Sequence, residues 1–410
     1  MHNVPPLSLH IPEPVARPGE APDFSAVHIP AAGSLARPDI GVDASTIRDH
    51  VYSLIRVLDE DGHAVGPWNP NLGPDTLTRA LTAMITTRLY DDRMYKMQRQ
   101  GKTSFYIKSL GEEAVAVGAA LALNSDDMAF TAYRQQGLLI TRGYPLVLMM
   151  NQIYSNSGDP MKGRQLPVMY SAKAHGFFSV SGNLATQVPQ AVGWAMASAY
   201  KGDTRIAATW LGDGSTAEGD FHSACTFANV YRAPVIINIV NNQWAISSFS
   251  GIAGGANTTF AARALAYGIP GLRVDGNDLL AVHAATQWAA ERARANLGPT
   301  IIEHYTYRTE GHSTSDDPNR YRPADEGKSW PLGDPVERLK AHMIAIGIWD
   351  EARHAELTLQ VTQTIREAAR ESEALGTLGS GPGPDPETMF DDIFREMPQH
   401  IAEQKRWAGF

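Results

Sequence analysis

The chain has a single cysteine, Cys225, among 410 residues. No intrachain disulfide and no cysteine-built zinc site can come from it, and such usage fits a reducing compartment. Cys225 sits among Ala224, Phe227 and Ala228, which favours a small buried core residue over a reactive thiol. A basic tract is also missing. The 35 Lys and Arg stand against 44 Asp and Glu, for a formal net charge of -9, so the electrostatic footprint of a nucleic-acid-binding protein is absent. No apolar run approaches the length of a membrane span. The start, "MHNVPPLSLHIPEPVARPGE", has no charged segment leading into an apolar one, and it is too rich in proline and acid for a mitochondrial targeting helix. Together these absences predict a soluble, bacterial-type cytoplasmic protein with no nucleic-acid or membrane partner.

What is present reads as an ordinary globular chain: 43% hydrophobic and 19% charged residues. Residues 1–75 carry many prolines and little apolar periodicity, which excludes long helices. They predict an extended arm that buries little by itself, either flexible or wrapped over a partner surface. From Thr76 the apolar positions Leu77, Leu81, Met84, Ile85, Leu89, Tyr90 and Met94 follow helical spacing. Further helices are expected over Glu112–Leu123, near Pro145–Tyr154, and in the small-residue segment ending at Tyr200. Residues 334–375 also read as helical, "GTLGSGPGPDP" as a linker, and the rest as a short acidic amphipathic tail. The expected organisation is therefore an arm (1–75), an α/β domain (76–333) and a helical C-terminal region (334–410).

The clearest unit lies in the middle. "RIAATWL" is an apolar run that ends at the loop "GDGSTAEGD". A helix over Glu218–Tyr231 follows, with Phe221, Ala224, Phe227, Ala228 and Tyr231 on one face. "PVIINIV" is then a continuous β-branched run ending at Asn241-Asn242. Strand, loop, helix and strand make a βαβ unit of a buried parallel sheet, so the fold class is α/β. In such sheets ligands gather at the carboxyl ends of the strands. A right-handed crossover brings Asp213 and Asn242 to the same edge. Both are hard oxygen donors suited to magnesium. The loop is small and glycine-rich like a phosphate cradle, yet it carries acids and no Lys or Arg. A cation between loop and phosphate reconciles the two. Capping of the next helix by the same Asp and Ser is the plainer alternative.

Gly212-Asp213-Gly214 through Asn241-Asn242 resembles the thiamin diphosphate motif. The extended stretch "GDGSTAEGDFHSACTFANVYRAPVIINIVNNQWAIS" is similar to the alpha subunits of 2-oxo acid dehydrogenase decarboxylating components, over most of the chain from Thr76 to the helices after Pro335. This resemblance implies the thiamin diphosphate-binding fold, a mainly parallel sheet flanked by helices. It implies thiamin diphosphate and Mg2+ as cofactors, with Asp213, Asn242 and the backbone carbonyl of Trp244 as metal ligands. Gly212, Gly214, Ser215 and Thr216 would let the backbone approach the diphosphate, and Glu218 would fix the loop unless it is simply a solvated acid at the helix start. From "AYRQQG", Arg134 would reach the diphosphate and Tyr133 would line the reacting end. From "SGNLATQVPQAVG", Leu184 would contact the cofactor's aminopyrimidine and, with Tyr133, the substrate, while Gly182 and Ile246 would contact the cofactor. Ser181, Thr186 and Gln187 resemble residues that hold a structural K+ in branched-chain relatives, helix capping being their alternative role.

"GHSTSDDP" supplies His312, matched to a histidine at the mouth of the active site that stabilises the reacting intermediate or assists acyl transfer, and Ser313, which corresponds to a phosphorylated serine in mitochondrial relatives. No role falls to His175, His222 or His304. The wording "STSDDPNRYRP" and the long arm lean to the branched-chain type over pyruvate or acetoin enzymes. Gly182, Val240 and Ser215 depart from the mitochondrial pattern, where serine, arginine and alanine are usual. In this family the glutamate that activates the cofactor ring belongs to a beta subunit. The chain is thus expected to be half of an active site, in an alpha2beta2 assembly docked on a dihydrolipoyl acyltransferase core. A noncatalytic metal- and nucleotide-binding scaffold is the alternative of a different class.

Overall fold

A computed structural model describes residues 7–410. Five parallel strands form the central sheet, in the order β1-β2-β3-β7-β6. They are β1 (Met128–Phe130), β2 (Ala207–Gly212), β3 (Val235–Asn241), β6 (Gly271–Asp275) and β7 (Thr300–Tyr305). A two-residue ribbon, β4 (Trp244–Ala245) against β5 (Ser248–Phe249), stands just beyond β3. All residues of β3 and β7 are buried, as the unbroken apolar run "PVIINIV" requires of a strand covered on both faces. The expected βαβ unit is present: β2 and β3 pair in parallel from Ala207↔Val235 to Gly212↔Val240, with helix Gly219–Val230 between them.

That helix buries Phe221, Ala224, Cys225 and Ala228. Phe227 and Tyr231 do not join this face, being 53% and 59% exposed. The buried stripe follows the 221, 224, 225, 228 spacing, which turns both aromatics outward. Cys225 is fully buried, and desolvation pushes its thiol up to about 12.

The first long helix, Pro74–Arg99, starts on a proline whose missing N–H is no loss at a first helical position. Helix Glu351–Ala374 packs across it and across helix Leu146–Tyr154. Glu373 there accepts from Arg93 (3.1 Å) and Lys102 (2.6 Å).

The arm differs from the expectation. Leu7, Leu9 and Ile11 are exposed, but Ile47, Val51, Leu54, Ile55, Val57, Leu58 and Trp68 are buried. Proline excludes long helices, yet it does not prevent an extended chain from lying in a groove of its own fold. Ile55 donates to Arg273 O (2.8 Å) and accepts from Asp275 N (3.0 Å), so the arm covers the outer edge of β6. Asp278, at the N-cap of helix Leu279–Arg294, accepts the N–H groups of Val57 (2.8 Å) and Leu58 (2.6 Å). One core cluster contains Ile55 and Trp68 of the arm, Ile236 of the sheet, and Leu339 and Ile365 of the C-terminal helices.

Candidate active site

The carboxyl ends of β2 and β3, the loop after β1 and the loop after β7 converge on a cleft of about 490 Å3. Its floor is the acidic loop. After Gly212 the chain turns at Asp213, whose N–H donates to Val240 O (3.1 Å) and whose Oδ1 accepts from Gly214 N (2.9 Å). A Cβ on Gly214 would lie 2.5 Å from Ala245 Cβ, so only glycine lets the two loops close up. Asp213 Oδ2 is buried without any hydrogen-bond partner, and desolvation raises the carboxyl to about 7. An orphaned carboxylate oxygen in a polar cleft is costly unless a cation meets it.

Asn242 stands opposite. Its Nδ2 donates to Glu112 Oε1 (2.7 Å), and its Oδ1 accepts from Trp244 N at 3.3 Å. Two further carbonyls are set by one guanidinium: Arg308 donates to Trp244 O (3.0 Å) and Ile246 O (2.8 Å). Ile246 has φ 55° and Gln243 φ 72°. A β-branched residue in the left-handed region stores about 1–3 kcal/mol, held here by the Arg308 bond. Asp213 carboxylate, Asn242 amide and Trp244 carbonyl make an all-oxygen donor set of the kind magnesium takes. The residues present therefore fit the metal.

Arg134, buried, reaches across the cleft from the β1 loop. Its Nη1 donates to Lys108 O, its Nη2 to His312 O (3.0 Å), and its Nε lies 3.4 Å from Glu112 Oε1. His312 Nδ1 is 3.3 Å from the same Nη2, and Tyr133 meets the imidazole edge-on at 5.7 Å. Burial, then the charges of Arg134 and Arg308, lower His312 to about 3. The ring is neutral. With Nδ1 facing a donor, the proton sits on Nε2.

The cleft gathers most of the residues named from sequence: Tyr133, Arg134, Gly182, Leu184, Gly212, Asp213, Gly214, Ser215, Asn242, Trp244, Ile246 and His312 all line it. Thr216 does not. Its hydroxyl donates to Asp213 O and its carbonyl accepts from Arg263 Nη1 (2.8 Å), so it braces the loop from behind. Glu218 is exposed and makes no capping bond; it behaves as the solvated acid. Ser181 and Gln187 line a small hollow beside the cleft. Thr186 stands at the N-cap of helix Gln187–Tyr200 without a capping bond and donates instead to Asn183 O (3.2 Å).

Glu112 and Arg308 were not singled out from sequence. Glu112 reads as an ordinary acid at a helix start, beside Glu113, which pairs with Arg88 at 2.8 Å. Nothing local distinguishes the acid that enters the cleft from the one that anchors the helix. Arg308 follows β7 in a run with no periodic signal.

The geometry, an α/β sheet with an acidic metal-type loop facing an arginine–histidine wall, is that of a cofactor-binding cleft, and comparison with known proteins gives its class. The sequence model of the dehydrogenase E1 component matches residues 81–379, and that of the N-terminal segment of 2-oxoisovalerate dehydrogenase E1 alpha subunits matches residues 5–45. The chain belongs to the dehydrogenase E1 component family. Within it, the chain is 58% identical over 409 residues to the 2-oxoisovalerate dehydrogenase alpha subunit of Pseudomonas aeruginosa, covering 100% of both chains. It is 38% identical over 354 residues to the mitochondrial alpha subunit of Homo sapiens, across 86% of this chain and 78% of that one. The Arabidopsis thaliana mitochondrial alpha subunit 2 matches at 36% over 352 residues, 85% and 73% of the two chains.

Proposed function

We propose that the chain is the alpha half of a thiamin diphosphate- and Mg2+-dependent enzyme that oxidatively decarboxylates branched-chain 2-oxo acids and passes the acyl group to lipoyl groups of a dihydrolipoyl acyltransferase core. The carrying observation is the orphaned, buried Asp213 Oδ2 beside Asn242 and the Trp244 carbonyl. When bound, thiamin diphosphate supplies the nucleophilic carbon and the electron sink for loss of carbon dioxide.

The chain's own residues do the rest. Asp213, Asn242 and Trp244 O would hold the metal, and the glycine loop lets the diphosphate approach the backbone. Arg134 contributes fixed positive charge near the diphosphate end without reorganising, because Lys108 O and His312 O already hold it. His312, neutral and protonated on Nε2, can donate a hydrogen bond to an oxygen in the cleft and give or take a proton during acyl transfer. Tyr133, Leu184 and Ile246 make the reacting end apolar, which supports an aliphatic side chain on the substrate.

Leu184 and Ile246 are 50% and 54% exposed at the rim of the cleft. This exposed apolar rim supports a beta subunit closing over it in an alpha2beta2 assembly, a subunit that would also supply the ring-activating acid. We place the assembly in the bacterial cytoplasm. No helix among the described residues is long and apolar enough to cross a membrane. K+ at Ser181, Thr186 and Gln187 belongs to the same proposal: Gln187 donates its amide nitrogen to Trp210 O (2.7 Å), which leaves its oxygen free for a cation.

The test is a substrate panel on the co-expressed alpha and beta pair. The expected outcome is that 3-methyl-2-oxobutanoate has the highest kcat/KM. A preference for pyruvate or acetoin would overturn the substrate assignment, and full decarboxylation by alpha alone would overturn the shared site.

A further inference from the structure

Glu112 is fully enclosed in the wall of the cleft, at 2% exposure. It belongs to neither the acidic loop nor the strand ends that define the metal set, yet it touches two groups of the site. Oε1 accepts from Asn242 Nδ2 at 2.7 Å and lies 3.4 Å from Arg134 Nε. Burial pushes the Glu112 carboxyl up, while the Arg134 guanidinium and the Asn242 amide N–H act against that push; paired with these two donors it serves as an acceptor. Asn242 therefore has one permitted sense. Its nitrogen faces Glu112 and its oxygen faces the cleft, where Trp244 N also donates to it. The flipped amide would set oxygen against the Glu112 carboxylate and nitrogen against the Trp244 N–H. It would also turn an NH2 group, rather than an oxygen, toward the cation.

We infer that Glu112 is a positioning residue for the metal: it selects the amide sense that makes Asn242 a ligand, and the same carboxylate couples that ligand to Arg134. This rests on the reading of Asp213 and Asn242 as metal ligands. It goes beyond that reading by naming the group that makes one of them competent. Partners that orient metal ligands matter by about 10–100-fold in affinity when they are changed.

The experiment uses the alpha–beta complex with Mn2+ as the probe, thiamin diphosphate held saturating, and free Mn2+ measured by electron paramagnetic resonance. Glu112→Gln keeps the shape but removes the acceptor-only rule, so only the long 3.3 Å bond from Trp244 N still favours the ligand sense. Mn2+ affinity should fall by about 10–100-fold with the chain still folded by circular dichroism. Asn242→Asp alone places two carboxylates face to face and should also weaken binding. The double variant E112Q/N242D exchanges donor and acceptor across the same contact and should restore affinity to within a few-fold of wild type. A merely structural role for Glu112 would not produce that restoration.

Asp213→Ala separates the two layers of inference. If it loses Mn2+ while E112Q binds as wild type does, the role of Glu112 is wrong and the ligand set survives. If Asp213→Ala binds Mn2+ unchanged, the ligand set fails and this inference fails with it. If E112Q weakens binding and the double variant does not recover, Glu112 acts through packing and the inference is overturned.

Discussion

Arg134 Nη2 donates to the His312 carbonyl at 3.0 Å and faces His312 Nδ1 at 3.3 Å, so the two residues named from separate motifs form one unit. The guanidinium holds the loop after β7 by its backbone and fixes the ring tautomer by the same nitrogen. Arg134→Lys should therefore lose more than charge. A lysine cannot serve Lys108 O, His312 O and the Glu112 side at once. The expected result is thiamin diphosphate affinity down by roughly tenfold or more, for the loss of at least one charge-assisted hydrogen bond, together with a lower kcat. Isothermal titration and steady-state kinetics on the alpha–beta complex check both. Unchanged kcat at saturating cofactor would show that His312 does not depend on Arg134.

Two of the cleft glycines, Gly214 and Gly182, should respond differently to alanine. Gly214→Ala brings a methyl group to 2.5 Å from Ala245 Cβ, and overpacking of this kind costs about 1–3 kcal/mol. Thermal unfolding should show that loss, and cofactor affinity should fall with it. Gly182→Ala meets nothing closer than Met169 Cε at 3.8 Å and should leave Tm nearly unchanged.

Burial lowers His283 to about 4, and lowers His304 and His312 to about 3. Each is neutral in the native chain and takes a proton in the unfolded chain near the ordinary value of about 6.5. The unfolded state thus binds more protons between those values. Stability from these groups is fully present above pH ~6.5 and is lost as pH falls toward 3–4. His304 is enclosed in the sheet and bonds Asn238 Oδ1 (2.9 Å). Urea midpoints measured from pH 7 down to 4.5 should decline, and the decline should be shallower in His304→Gln. A parallel pH dependence in the variant would contradict this.

Lys108 ties the His312 loop from the other side. Its ammonium meets Glu310 (2.6 Å) on that loop and Asp92 (2.8 Å) on helix Pro74–Arg99. A cavity of about 240 Å3 borders Lys108, Glu310 and Ser313, so ion pairs, together with the bonds between Tyr106 and Thr314 (3.0 and 3.1 Å), hold the loop there rather than close packing. Lys108→Met should change the unfolding free energy by no more than about 1 kcal/mol, because both carboxylate partners lie at the surface. It should also raise tryptic cleavage at Arg320 several-fold. Equal cleavage rates would mean that the loop is held elsewhere.

Much of this site was legible because its signals are local. "RIAATWL", the acidic glycine loop and "PVIINIV" each state their structure within a few residues, and the crossover rule does the rest. β1 and β6 were not legible: three and five residues long, they carry too little pattern. The burial of Ile55 and Trp68 was hidden because proline content reports what a segment cannot be and not where it lies. Glu112 and Arg308 were hidden for another reason. Their roles are set by contacts to Asn242 and Trp244, 130 and 64 positions away, and a lone charged residue does not announce a distant partner. Thr216 shows a limit of the local motif: its hydroxyl turns back to Asp213 O, so only its backbone is left to face a ligand of the loop.

The cleft draws on the chain after β1, β2, β3 and β7, and its wall includes Glu112 from before β1. No fragment that stops short of β7 owns a site. Pairing of β3 with β7 joins Ile236 to Thr300 and Asn241 to Tyr305, contacts whose loop must close before they return any free energy. A ligand of this cleft would thus meet no complete site on a partly made sheet. Such a ligand would bind the native sheet and not its fragments, and would therefore stabilise only the completed chain against unfolding.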